Sequence, residues 1–283
     1  MATAFDRRRI PAPEISIPPI YEPLLDGEAE AGPSKRVDRA NDEARPIFLK
    51  TGLISQANGS GYIESGGVKI ACSVYGPRPK APPYTPQGTL NLEVKFAPFA
   101  SDPRGAPLRD TEPIHLSQLL TQSLIPAIQL DQFPKSSIDI YLLILESDTP
   151  SNVLSAGLTV SSAAIADAGI AMNGLGTGSV VLTDQNGEIL VDPEESEEIA
   201  LQSQAQAQGQ GQGQGQGNGA GKLLVGALPA LGKVTNLYME GEVEVDQAIQ
   251  MIEKAIAASR DTHTVLAQSL LEGALERGIG GEA

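Results

Sequence analysis

A chain of 283 residues with 41% hydrophobic residues is long enough to bury a substantial core, as one large domain or two modest ones. Lys and Arg number 20 against 35 Asp and Glu, and the net charge of −15 argues against a free-standing nucleic-acid binder while leaving room for a basic patch on an acidic subunit. The single cysteine, Cys72, excludes an internal disulfide framework and a Cys-rich zinc site.

No apolar run approaches the ~20 residues that a membrane span needs. Arg7, Arg8 and Arg9 have no apolar segment behind them, so no secretory signal is read. The expectation is a soluble intracellular protein. Residues 1–44 carry Pro11, Pro13, Pro18, Pro19, Pro23 and Pro33 among mixed charges. Proline fixes φ and lacks an N–H, so this stretch is expected to be an extended or disordered arm.

Ordered structure is expected from about Pro46. Ile47–Leu49, Tyr62–Glu64 and Val68–Tyr75 are short β-branched and aromatic runs separated by Asn58-Gly59-Ser60-Gly61 and Gly66-Gly67, a hairpin or meander pattern that Gly76-Pro77-Arg78-Pro79 closes. Leu90, Leu92, Val94 and Phe96 alternate as in a strand. Leu116, Leu119, Leu120, Leu124, Ile125 and Ile128 then recur at helical spacing, with Pro126 as a local fault. Ile138–Leu145, a run apolar but for Asp139 and Tyr141, predicts a strand buried on both faces. Val153–Ala168, rich in Ala and Ser and ended by Gly169, predicts a helix able to pack closely on a sheet.

Val180–Thr183 and Ile189–Val191 flank Asn186-Gly187, a hairpin turn. Residues 202–221 alternate Gln with Ala and Gly and have nothing apolar to bury, so they are expected to be a disordered insertion. Leu223–Leu231 and Val234–Met239 read as strands, and Val245 to Leu271 follows the period of a long helix. The element order predicts one α+β domain over residues 45–283, a mixed sheet with packed helices.

Few residues carry a chemical signature. Gly174-Leu175-Gly176-Thr177-Gly178 has a helix before it and a strand after it, the reverse of a dinucleotide loop, and reads as a plain turn. His115 and His263 sit in no metal-binding spacing, and His115 reads as a surface or capping residue. Cys72 lies in an apolar run and reads as a small packed hydrophobe. The acids Glu188, Asp192, Glu194, Glu195, Glu197 and Glu198 read as a solvated loop, not as a cation site. Arg104 and Arg109, in a Pro/Gly-rich loop, are the candidates for contact with RNA phosphates. No catalytic residue, metal ligand or cofactor is assigned.

The block Arg45-Pro46-Ile47-Phe48-Leu49-Lys50-Thr51-Gly52, with Ala57–Glu64, Val68–Ile70 and Val74-Tyr75-Gly76-Pro77-Arg78, resembles the opening of the RNase PH family, in particular the ring subunits of the RNA exosome. Phe133-Pro134-Lys135, Ala166-Asp167-Ala168-Gly169-Ile170 and Val191-Asp192-Pro193 continue the likeness, which covers roughly residues 45–275. It implies the ribosomal S5 domain 2-like fold. Active members read Asp-Gly-Gly-Ser/Thr-Arg where this chain has Asp148-Thr149-Pro150-Ser151-Asn152, and they use those glycines and that arginine to clasp inorganic phosphate. They also carry two aspartates after the second hairpin, where this chain has Glu194-Glu195-Ser196-Glu197-Glu198, and an arginine pair of which Leu108 and Arg109 are the counterparts.

The resemblance therefore implies a non-catalytic structural subunit of the exosome core ring that supports 3′→5′ RNA processing by nucleases elsewhere. Its implied partners are other RNase PH-like subunits in a hexameric ring, S1/KH cap subunits and RNA passing through the channel, in nucleus, nucleolus and cytoplasm. The alternatives are an active phosphorolytic 3′→5′ exoribonuclease and an S5-like domain unrelated to RNA.

Overall fold

The computed structural model describes residues 36, 39–100, 104–105, 113–184, 187–199, 221–241 and 243–278. The rest of the Pro-rich arm, residues 201–220 of the Gln/Gly tract and Arg109 lie outside the described residues. Gly221, which composition assigns to the tract, is the first residue of a strand and pairs with Thr183.

Two sheets enclose one helix. The first sheet holds β1 (Ile47–Thr51), β2 (Gly59–Ser65), β3 (Val68–Pro79), β4 (Thr89–Phe96) and β5 (Ser136–Glu146) in the order β1-β2-β3-β5-β4. Its pairs are antiparallel except β4 with β5, so it is the expected mixed sheet. β3 runs on through Gly76-Pro77-Arg78-Pro79, which composition reads as its end, after an irregularity between Tyr75 and Arg78. The second sheet is antiparallel throughout, β7-β6-β8-β9, from β6 (Thr177–Thr183), β7 (Ile189–Val191), β8 (Gly221–Leu228) and β9 (Lys233–Glu240).

Among the described residues, three α-helices of eleven residues or more pack on these sheets. α1 (Ile114–Leu124) gives way at Pro126 to a 3₁₀ turn, Ile125–Ala127, because proline supplies no N–H to continue the ladder. α2 (Pro150–Asp167) is buried along nearly its whole length between the sheets. Its serines, alanines and Gly157 make that possible: Gly61 faces Val160 on one side, and Gly178 abuts the Ser155 backbone on the other. Ser161 and Thr159 turn their hydroxyls to the carbonyls of Gly157 and Ser155, so the buried helix leaves these groups bonded. α3 (Val245–Glu276) covers the second sheet with Met251, Ala255 and Ala258 and reaches β1 at its far end.

The burial of β5 differs from its apolar sequence. Ile138, Ile140, Leu142 and Ile144 are buried, whereas Tyr141 and Leu143 remain 40% and 42% exposed. Its inner face meets α1 and α2, and nothing among the described residues covers its outer face. The strand buried on both faces is β6, held between α2 and α3. Cys72 packs in the first core as expected, with no exposure, and burial pushes its thiol up to about 12.

Candidate functional site

The N-terminus of α2, the segment after β7 and the approach to β1 meet at one place. Thr149 caps α2 by accepting the Asn152 N–H at 3.3 Å, and Pro150 at the first helical position has no N–H to offer. Ahead of the cap stands Asp148. Chain reversal after β7 puts Asp192 in the left-handed region, φ +51°, with its carboxylate turned toward the same point.

Arg45 joins the two acids. Its Nη1 donates to Asp148 Oδ2 at 2.8 Å, while Nε and Nη2 grip Asp192 Oδ2 and Oδ1 at 2.9 and 2.7 Å. The Arg45 backbone N–H also donates to Asp192 Oδ2, at 2.9 Å. This fork-to-carboxylate pairing is geometrically specific, and the Arg45 side chain is only 5% exposed. Burial acts against its charge, but the Asp192 and Asp148 carboxylates outweigh it and raise the guanidinium above its ordinary value. Burial would push Asp192 up; the bonds and charge of Arg45 instead hold it below the usual carboxylate range. Asn152 completes the cluster, donating Nδ2 to Asp148 Oδ2 at 3.1 Å and to Pro193 O at 2.8 Å.

A second set of pairs lies alongside. Arg36 holds Glu197 through Nε at 2.6 Å and Nη2 at 3.0 Å, and Glu197 accepts the Glu194 N–H at 2.9 Å. Arg39 donates to Asp192 O at 2.7 Å and lies within 3.8 Å of the carboxylates of Asp192, Glu194 and Glu197. Despite its burial, Glu197 is therefore held below the usual range. Lys222 of β8 closes on Glu198 at 2.8 Å. The acidic segment is thus only in part a solvated loop: Glu188, Glu194 and Glu195 are exposed as expected, and the other three acids are not. Asp192, Glu197 and Glu198 are claimed by cations from distant parts of the chain, and Glu197 and Glu198 are only 7% and 8% exposed.

A cleft of about 450 Å³ opens over this cluster, walled by Glu146, Asp148, Glu194 and Glu195 as well as Arg45. The one cation in its wall is already committed to two carboxylates, so the cleft presents net negative charge. Among the described residues, no group of three or more His, Cys, Asp or Glu side chains is arranged to hold a metal ion, and no helix is long and apolar enough to cross a membrane.

Of the residues singled out by sequence, Arg104 is exposed and lies apart from this cluster, in the loop where Gly105 N bonds to Pro98 O. Arg109 lies outside the described residues. His115 is exposed and meets Tyr238 edge-on, a surface role as expected. The arginines at 36, 39 and 45 carry no local signature. Their partners are separated from them by 103 to 161 positions. The available hint was the placement of arginines just before β1 in a chain whose acids follow β7.

Comparison with known proteins agrees with this architecture. A family profile described as "3' exoribonuclease family, domain 1" of RNase PH matches residues 43–171. The exosome complex component mtr3 of Schizosaccharomyces pombe is 34% identical over 94% of this chain and 96% of its own length. The human exosome complex component MTR3 is 30% identical over 98% of each. In structure, rice Rrp46 superimposes with a TM-score of 0.66 over 82% of this chain and 98% of its own, at 17% identity, which supports the fold. With a fold of two sheets about a small-residue helix, and Mtr3 relatives 30–34% identical over nearly their whole length, the chain belongs to the RNase PH family, among the Mtr3-type exosome components.

Proposed function

We propose that this chain is a non-catalytic subunit of the exosome core ring, which holds RNase PH-like neighbours and S1/KH cap subunits in place around a channel for RNA. The observation that carries the reading is Arg45 locked between Asp148 and Asp192 at the N-terminus of α2. Phosphorolysis needs a phosphate dianion in line with the terminal linkage and an acid to protonate the leaving oxygen. A helix N-terminus is a natural anion site. Here Pro150 and the Thr149 cap withdraw its donors, the Asp148 carboxylate stands before it, and Glu146, Glu194 and Glu195 repel an approaching phosphate. Asp192, held ionised by Arg45, has no proton to give at neutral pH.

The test is incubation of 5′-labelled RNA with magnesium and phosphate varied tenfold, using the chain alone and with ring neighbours that lack nuclease activity of their own. No phosphate-dependent release of nucleoside diphosphates is expected. Release that disappears on Asp148→Asn would establish the competing reading, an active phosphorolytic exoribonuclease.

RNA contact, in this reading, falls to Arg104 and Arg109, whose loop precedes α1 where the family places its RNA-gripping arginines. Reversing both charges in the assembled complex should lower the slope of log affinity against log salt by about 1.4, at about 0.7 per phosphate for a single strand. An unchanged slope would remove these residues from the RNA path.

A further inference from the structure

Arg45 lines two spaces, the acidic cleft and a separate cavity of about 40 Å³. The cavity lies on the seam between the two cores. Ile63, Val68 and Ala156 of the first core wall it, together with Val191 and Ala258 of the second. Asp192 and Asn152 complete the wall beside Arg45.

Among these apolar neighbours stand polar groups with bonding capacity left over. Asn152 is buried and gives its amide N–H groups to Asp148 and to Pro193 O, while its Oδ1 has no partner among the described residues. Ser155 is an exception along α2. Thr159 and Ser161 turn their hydroxyls back to the carbonyls four residues earlier, and the Ser155 hydroxyl, which also lines the cavity, makes no such bond. From Ser151 to Ile165 it is also the one residue that keeps part of its surface accessible, in a helix otherwise buried over that length. Ser65, at the end of β2, is 8% exposed, and its hydroxyl likewise has no partner among the described residues. A guanidinium has five N–H donors. Asp148 and Asp192 take one each from Nε, Nη1 and Nη2 of Arg45, which leaves a second N–H on each Nη of a buried side chain.

We propose that this cavity is a buried hydration site, holding about three waters at roughly 10–15 Å³ each. The waters accept from Arg45 and donate to Asn152 Oδ1, and the Ser65 and Ser155 hydroxyls join the cluster. A buried water needs two to four polar partners. The wall supplies more: the hydroxyls of Thr159, Ser179 and Thr262 already donate to the carbonyls of Ser155, Ala255 and Ala258, and their oxygens have lone pairs to spare. The mixture of donors and acceptors selects water over other occupants. Arg45 repels a cation, Asp192 and Asn152 Oδ1 repel an anion, and an apolar filling would leave the unpartnered groups desolvated. The seam between the two cores is therefore wet, behind an arginine whose other side faces the cleft. This inference stands independently of the ring assignment.

Magnetic relaxation dispersion of water oxygen-17 on the full-length chain tests it, because it counts long-lived internal waters. Ser65→Val with Ser155→Val puts methyl groups where the free hydroxyls stand, and the count should fall by about two or three relative to wild type. Xenon provides the second readout, since an apolar cavity of sufficient size stays dry and binds it. No xenon site is expected on this seam in wild type. An unchanged water count in the folded double variant overturns the inference, and so does xenon bound beside Ile63 and Val191 in wild type, which would make the cavity dry. Should the double variant not unfold cooperatively, Ser155→Ala decides in its place. Loss of at least one long-lived water there upholds the site, and no loss overturns it.

Discussion

Arg45→Met is expected to destabilise the folded chain by about 3–5 kcal/mol, the cost of removing one partner from a buried ion cluster. Asp148, with a side chain 7% exposed, would lose its cation outright, and Asp192 would keep only the more distant Arg39. Chemical denaturation of wild type and variant measures this, and a loss below about 1 kcal/mol, the scale of a solvent-exposed pair, would mean that these acids are solvated after all. Arg45→Lys should recover less than half, because an ammonium cannot span both carboxylates as the planar fork does. The pH dependence follows from the direction of the shifts. Asp192 and Glu197 are held below their ordinary values, so their contribution is fully present above the unfolded carboxylate range, about 3.9–4.3, and is lost as pH falls through the lower folded values. In the methionine variant, burial acts on Asp192 without Arg45 to oppose it. The gap between the two proteins should therefore be widest near neutrality and narrow below about pH 4.

Gly178→Ala should cost about 3 kcal/mol, at the upper end for overpacking, although it adds one methyl group. A β-carbon there would lie 2.5 Å from Ser155 Cα and 2.6 Å from Ser155 O, backbone atoms of α2 that no side-chain rotation can move aside. The helix cannot retreat, because Gly59 of β2 abuts its backbone at Ala164 and Ala168 on the opposite side. Gly174→Ala is the control. It lies in the same glycine-rich stretch, and its nearest neighbours, the side chains of Leu231 and Leu228, are 3.7–3.8 Å from an added β-carbon. Comparing melting temperatures of the two variants separates close approach from backbone entropy. Equal shifts would show that α2 is not clamped between the sheets.

Most of the element order was legible because local physics dictates it. Gly187 closes the β6–β7 connection with its N–H on Asp184 O, Asn186 lying outside the described residues; Pro126 stops α1, Gly169 follows α2, and the helical period from Val245 onward becomes α3. The small residues of α2 announced close packing, and the structure shows why both sides need it. β5 was misleading for a physical reason: Ile138–Leu145 is apolar at every position except Asp139 and Tyr141, and composition alone cannot say which faces will be covered. Its outer residues Tyr141 and Leu143 stay exposed because, among the described residues, the helices that meet β5 pack on its other face.

The candidate site was legible only in what it lacks. Pro150 and Asn152 in the place of a family glycine and arginine, and glutamates in the place of an aspartate pair, can be read from the residues alone. That Asp192, Glu197 and Glu198 are buried ion-pair acceptors cannot, because a run of acids is by default a solvated one, and the cations that change this are distant in sequence. Local propensity and apolar period thus determined the strands, helices and turns, since each depends on residues a few positions apart. Tertiary structure alone decided the charge state and occupancy of the site. There, Arg45, Asp148 and Asp192 exclude water from one another's charges only after β1, α2 and the segment following β7 have been brought together.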